Sequence, residues 1–139
     1  MSRIRPAKLA DGDALFGLVE QFATSFRPHR EAFDMSLRAL ETDPAAWLAV
    51  AEREGEIVGY CLGFDHFAFF ANGRVAWVEE ITVRSDARRQ RIGARLMAAF
   101  EEWARLRGAK LISLATRRAA SFYTALGYEE SATYFRKII

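Results

Sequence analysis

Two periods of apolar residues alternate along this chain. Residues 3–7 read as a short strand. Behind them Leu15, Leu18, Val19 and Phe22 recur at helical spacing, with Asp11 or Asp13 placed to cap that helix. Pro28 punctuates the chain, after which Phe33, Leu37 and Leu40 mark a second amphipathic helix that Pro44 prevents from continuing. Two helices therefore precede the main run of strands.

From residue 47 the period shortens. Residues 47–51 are apolar, Arg53-Glu54-Gly55-Glu56 is a turn, and residues 57–64 form the second arm of a hairpin. Asn72-Gly73 marks another turn, residues 76–83 another strand, and an arginine-rich connection follows over 84–91. The next helix carries Leu96, Ala99, Phe100, Trp103 and Leu106 on one stripe, with Gly108 as its C-cap. Residues 111–115 predict a short buried strand and residues 119–126 a two-turn helix closed by Gly127. The remaining tail, with Tyr134, Phe135, Ile138 and Ile139, has strand composition. The order β, α, α, β, β, β, α, β, α, β argues for one α/β domain over residues 1–139 around a mixed sheet, without repeat or linker.

Composition narrows the function classes. With 139 residues, 51% of them hydrophobic and 13% aromatic, the chain has enough apolar material for a packed core and does not read as disordered. The net charge is only +2, yet Arg84, Arg88, Arg89, Arg91 and Arg95 fall within twelve residues that hold one acid, Asp86. That cluster predicts a local anion, while the near-neutral total and the lack of a nucleic-acid module disfavour a nucleic-acid partner. The single Cys61 excludes an internal disulfide framework and a multi-cysteine zinc site, and His29 and His66 have no metal-site or triad spacing. Without an apolar leader or a stretch approaching the ~20 residues that span a bilayer, the expectation is a soluble cytoplasmic protein with no membrane partner.

The segment with the most chemistry is the strand Trp77-Val78-Glu79-Glu80-Ile81-Thr82-Val83, running into Arg88-Arg89-Gln90-Arg91-Ile92-Gly93-Ala94 and straight into a helix. The first amides of a helix lack intrahelical acceptors and lie at its positive end, so a phosphate can accept them. A solvated basic loop is the competing reading of the same residues. Neither GxxxxGK[ST] nor GxGxxG is present. The run Arg88 to Gly93 instead resembles the [R/Q]-x-x-G-x-[G/A] pyrophosphate loop of the GNAT superfamily of N-acetyltransferases. Ala119-Ala120-Ser121-Phe122-Tyr123-Thr124-Ala125-Leu126-Gly127-Tyr128 resembles that family's late A-x-x-[F/L]-Y-x-x-x-G-[F/Y] element, and Ile4-Arg5-Pro6-Ala7 with Asp11 its opening strand and cap. Two positions depart from the pattern: Arg91 stands at the motif's first glycine, and Thr116 where an Asn is often found.

The resemblance implies a GNAT fold, an α/β (α+β) mixed sheet of about six to seven strands with about four helices. It also implies transfer of acetyl from acetyl-CoA to a primary amine by direct attack in a ternary complex, without a metal. On that reading Arg88, Arg89, Gln90, Arg91, Ile92, Gly93 and Ala94 hold the pyrophosphate, and the main chain of Ile81, Thr82 and Val83 holds the pantetheine arm and thioester. Thr116 would contribute a hydrogen bond to the cofactor arm, and Tyr123 would protonate the departing thiolate. Adjacent strand residues point to opposite faces, so at most one of Glu79 and Glu80 is expected to face the substrate. Analogy favours Glu79 as general base over Glu80; the plain alternative is that both are strand-edge charges. A non-catalytic acyl-CoA-binding module of the same fold is the rival function, disfavoured by the presence of both Glu79 and Tyr123.

The acceptor, a small-molecule or peptide amine, would be set by residues 22–41 and 64–74. The Phe-rich residues 64–70 suit either an acceptor pocket or a contact in a homodimer, and the two readings stay open. His66 reads as structural and Cys61 as a small core residue.

Overall fold

The computed structural model describes residues 2–23 and 25–139. Five strands form one sheet in the order β1 (Ser2–Pro6), β2 (Ala46–Arg53), β3 (Glu56–Ala68), β4 (Gly73–Val83), β5 (Ile112–Leu114). Neighbours from β1 to β4 are antiparallel, and β5 joins β4 in parallel. Helices α1 (Gly12–Phe22) and α2 (Arg30–Glu41) cover one face, where Leu15, Leu18 and Leu37 pack on Val50 and Tyr60. Helices α3 (Ile92–Leu106) and α4 (Ala120–Ala125) cover the other.

The second face holds the larger core because α3 presents an unbroken stripe to it. Ile92, Leu96, Met97, Phe100 and Ala104 fall on one helical face and are buried against Val58, Cys61, Ala76 and Val78. Phe100 fits only because β3 carries Gly63 beneath it, where a Cβ would overlap the ring. Burying a Phe of this kind is worth about 2–3 kcal/mol relative to exposure. At the far end of α3 the Asp65 carboxylate, with no exposed side-chain surface, takes Arg107 in a two-pronged pair at 2.7 and 2.9 Å and Arg74 at 3.2 Å. That triad ties β3, β4 and the end of α3 together.

Several expectations are corrected. The sheet has five strands rather than six or seven, because residues 129–139 join no ladder despite their strand composition. Leu106 is 80% exposed, two residues past Ala104 at the end of the buried stripe, and Phe22 is also exposed. Asp11 caps α1 in position but not with its side chain: its carboxylate pairs with Arg5 at 2.9 Å through both oxygens and accepts the Lys8 amide at 2.8 Å. The guanidinium holds the Asp11 carboxyl below the usual carboxylate range. No helix among the described residues is long and apolar enough to cross a membrane.

Candidate active site

The register between β3 and β4 slips in the middle of the acidic strand. Gly63 pairs with Val78 and Leu62 with Glu80, so Glu79 is an extra residue on β4 with no partner on β3. The bulge reverses the expected geometry of the two glutamates. Val78 and Ile81 both pack with the α3-side core although three positions apart, which leaves both residues between them off that face. Glu80 shows where they go: its Oε1 accepts the hydroxyl of Tyr60 at 2.7 Å, and Tyr60 belongs to the core under α1 and α2. The expectation that adjacent strand positions send these carboxylates to opposite faces therefore fails locally. Glu79 is exposed and has no protein partner among the described residues; Glu80 is half-buried and tethered.

On its other edge β4 loses its neighbour at the same point. Pairing with β5 covers only Ala76, Trp77 and Val78, matched to Ile112, Ser113 and Leu114. Beyond Val78 the strands part, and the β5-side main chain of residues 79–83 meets no strand. The Val83 carbonyl accepts the side chains of Gln21 at 3.4 Å and Arg88 at 3.3 Å instead. Ile81 and Val83 are half-buried and Thr82 buried, so what this segment offers on the β5 side is main chain without a strand partner.

Because β4 and β5 are parallel, their following connections leave from the same end of the sheet. The first runs from Val83 to the start of α3. Arg89 and Arg91 both adopt left-handed backbone, with φ of 67° and 62°, and Arg91 is the N-cap residue of α3. Arg88 before them is extended, and the turn delivers the chain to the N-terminus of α3, whose first amides lack intrahelical acceptors and lie at the positive end of the helix. Glycine suits such positions without cost; here two arginines bear roughly 1–2 kcal/mol of steric strain each. Gly93 serves packing rather than backbone freedom, since a Cβ there would press on the Phe122 ring at 3.3 Å. Ile92 is buried in the core, Ala94 is half-buried, and Gln90 accepts a hydrogen bond from Arg53 on the neighbouring β2 end.

The local arginines are not equivalent. Arg84 is paired with Asp86 at 2.6 Å and Glu56 at 3.7 Å, and Arg95 donates to the Ser2 carbonyl. Arg89 and Arg91, together with Arg117 and Arg118 on the β5–α4 connection, have no acidic partner among the described residues. A phosphorylated ligand lying in the gap between β4 and β5 would meet unpaired cations from both connections.

Tyr123 enters from α4 on the same side. It is 8% exposed, its ring set edge-on to Phe122 and Tyr128 at 4.9 and 6.0 Å, and no described protein group hydrogen-bonds its hydroxyl. Burial raises its pKa, so the phenol stays protonated and able to donate at neutral pH. Thr116 sits at the turn into α4 with its Oγ1 accepting the Ala119 amide at 3.0 Å, which fixes that turn. Cys61 lies fully buried in the same core, its thiol pushed up to about 12 by burial and thus unreactive as a nucleophile.

Tyr123 and the start of α3 thus lie on the α3 side of the sheet and Glu79 and Glu80 share the opposite face, with the stretch of β4 that β5 leaves unpaired between them. Sequence reasoning missed the bulge and Tyr60. A signal for the bulge was present: apolar positions run Ala76, Val78, then Ile81, Val83, a change of parity across two adjacent acids.

Comparison with known proteins shows the family. The profile of the acetyltransferase (GNAT) family matches residues 13–128. The chain is 30% identical over 143 residues to an aminoalkylphosphonate N-acetyltransferase of Salmonella typhimurium, covering 98% of this chain and 90% of that protein. It is 29% identical over 140 residues to the uncharacterized N-acetyltransferase YhfO of Bacillus subtilis, covering 94% and 92%. Among solved structures, one described as a transcriptional regulator from Bacillus halodurans superposes with a TM-score of 0.90 at 25% identity, covering all of both chains. With the family profile covering most of its length and this fold beneath it, the chain belongs to the GNAT family of acetyltransferases.

Proposed function

We propose that the protein transfers acetyl from acetyl-CoA to the primary amine of an acceptor by direct attack within a ternary complex. GNAT acetyltransferases use acetyl-CoA, whose thioester supplies an activated acyl group. The observation that carries the reading is the coincidence, at one point of β4, of a bulge, an open backbone edge and an exposed carboxylate.

Each part has a task. The left-handed turns at Arg89 and Arg91 and the first amides of α3 hold a diphosphate, with the unpaired arginines neutralising it. The β5-facing edge of the main chain over residues 79–83, which has no strand partner, receives the pantetheine arm, and a backbone amide beside the thioester carbonyl stabilises the charge that develops on its oxygen. Glu79, free of partners, takes the proton from the attacking ammonium directly or through water, since an alkylammonium with a pKa near ~10.4 has no lone pair at neutral pH. Glu80, held by Tyr60, keeps a second negative charge on the acceptor side. As the new N–C bond forms and the C–S bond breaks, the neutral Tyr123 gives its proton to the departing thiolate, and the second proton of the acylated nitrogen leaves to solvent, from which the phenol is restored.

The test is acetyl transfer from acetyl-CoA across a panel of primary amines, read by mass and by thiol release. The panel includes aminoalkylphosphonates, on which the Salmonella relative acts. Transfer to at least one amine, lost in Glu79→Gln, is the expected result; CoA binding with no transfer to any amine would leave only the acyl-CoA-binding module.

A further inference from the structure

Residues 129–139 leave α4 without joining the sheet, yet two side-chain contacts place them. The Tyr134 ring stacks on Trp77 with centroids 6.3 Å apart and planes 21° off parallel. Two residues on, Arg136 Nη1 donates to Ser25 Oγ at 2.8 Å. Both anchors lie on the side of the two glutamates. Trp77 falls between Ala76 and Val78, which pack towards α3, so its indole faces the other way, as Glu79 and Glu80 do. Ser25 belongs to the connection between α1 and α2, on that same face. The segment therefore crosses from the β4–β5 edge to the α1–α2 connection alongside the carboxylates.

Two charge types meet there. Glu79 and Glu80 present negative charge on β4. Arg136 has no acidic partner among the described residues, and its one contact is a neutral hydroxyl, which leaves most of its guanidinium fork for an oxyanion. Trp77 and Glu79 are two residues apart on β4, and Tyr134 and Arg136 two apart on the segment, at most about 7 Å in each case. Gln21 at the end of α1 reaches the Val83 carbonyl at 3.4 Å, so the connection that Arg136 meets lies towards the C-terminal end of β4, and from the Trp77–Tyr134 stack the arginine is directed the same way as Glu79 and Glu80.

We propose that residues 134–136 form the acceptor-side wall of the site and that Arg136 binds an anionic group on the acceptor, so that the preferred substrates are small amines bearing a phosphonate or a carboxylate. The inference rests on the acetyl-transfer reading above. Glu79 meets the ammonium end, the Trp77–Tyr134 pair flanks the carbon skeleton, and Arg136 takes the acid.

The experiment compares aminomethylphosphonate, glycine and ethylamine as acceptors for wild type, Arg136→Ala and Arg136→Lys, with the dissociation constant of CoA measured for each protein. Wild type is expected to prefer at least one anionic amine over ethylamine by about 10- to 100-fold in kcat/KM, the range of a charge-assisted contact. Arg136→Ala should erase that preference through KM rather than kcat, Arg136→Lys should restore part of it, and CoA affinity should not move. The phosphonate and carboxylate arms tell which acid is taken. Equal use of ethylamine by wild type, or a preference that survives Arg136→Ala, overturns the inference while leaving acetyl transfer intact. Failure of wild type to bind CoA would instead remove the transfer reading, and this inference with it.

Discussion

The hydroxyl of Tyr60 on β3 donates to Glu80 on β4 at 2.7 Å, joining a residue buried under α1 to a half-buried carboxylate in the candidate site. Burial, then the charge of Glu80, raise the Tyr60 pKa well above its ordinary value, so this phenol stays neutral wherever the protein is folded. Removing the hydroxyl in Tyr60→Phe deprives the carboxylate of its donor and should cost about 1–3 kcal/mol of stability. The sign of the pH dependence follows from the raised value. Between the unfolded pKa near ~10 and the higher folded one, the native state holds a proton that the unfolded chain has lost, so stability falls as pH rises. Urea midpoints from pH 8 to 11 should decline more steeply for wild type than for Tyr60→Phe. Parallel decline in the two proteins would show that Tyr60 titrates normally.

Glu79 and Tyr123 act at opposite ends of the proposed proton path, and their variants should differ in kind. Glu79→Gln should lower kcat by about 10²–10⁴, the usual contribution of a general base, with activity partly recovered as pH approaches the amine's own pKa. Tyr123→Phe should lower kcat more than it changes the KM for acetyl-CoA and should show no such alkaline recovery. Steady-state pH profiles distinguish them. A flat Glu79→Gln profile would move the base to Glu80 or to water.

The helical half of this architecture was legible because periodicity reports burial directly: the Leu96, Phe100, Trp103 stripe and the arginine loop before it predicted α3 and its exposed N-terminus. What escaped depended on partners rather than on composition. Tyr134, Phe135, Ile138 and Ile139 have the residue types of a strand, but a strand also needs a free ladder, and the segment is anchored through rings and a guanidinium instead. The orientation of Glu79 and Glu80 escaped because a single inserted residue shifts strand parity, and the partner that fixes Glu80 lies twenty residues away on another strand.

Arg91 tests whether the anion site is built from backbone or from side chains. Its φ of 62° is a conformation that glycine adopts freely and a β-branched residue resists. Arg91→Gly should leave CoA affinity within about threefold, a change below ~1 kcal/mol, and Arg91→Val should destabilise the protein by about 1–2 kcal/mol and weaken CoA binding further. Titration calorimetry and thermal midpoints measure both. If Arg91→Gly loses as much affinity as Arg91→Val, the guanidinium rather than the turn holds the phosphate.

Asp65 lies at the far end of α3 from the site and offers the complementary case, where stability should change without chemistry. Its carboxylate is fully enclosed and satisfied by Arg107 at 2.7 and 2.9 Å and by Arg74 at 3.2 Å, with Arg107 also lying over the Trp103 ring at 5.2 Å. Removing the acid leaves two half-buried guanidinium groups facing each other without a counter-charge, a change that in buried pairs costs about 3–5 kcal/mol. Asp65→Ala should therefore approach that loss in denaturant midpoint. Arg107→Ala should lose less, because Arg74 still meets the carboxylate and solvent reaches the vacated position. Both variants, assayed below their melting temperatures, should keep the wild-type KM for acetyl-CoA, since the α3 N-terminus and its loop are held independently by Ile92, Leu96 and the Gly93–Phe122 contact. A change in that KM would mean that strain at the base of α3 reaches the phosphate loop along the helix.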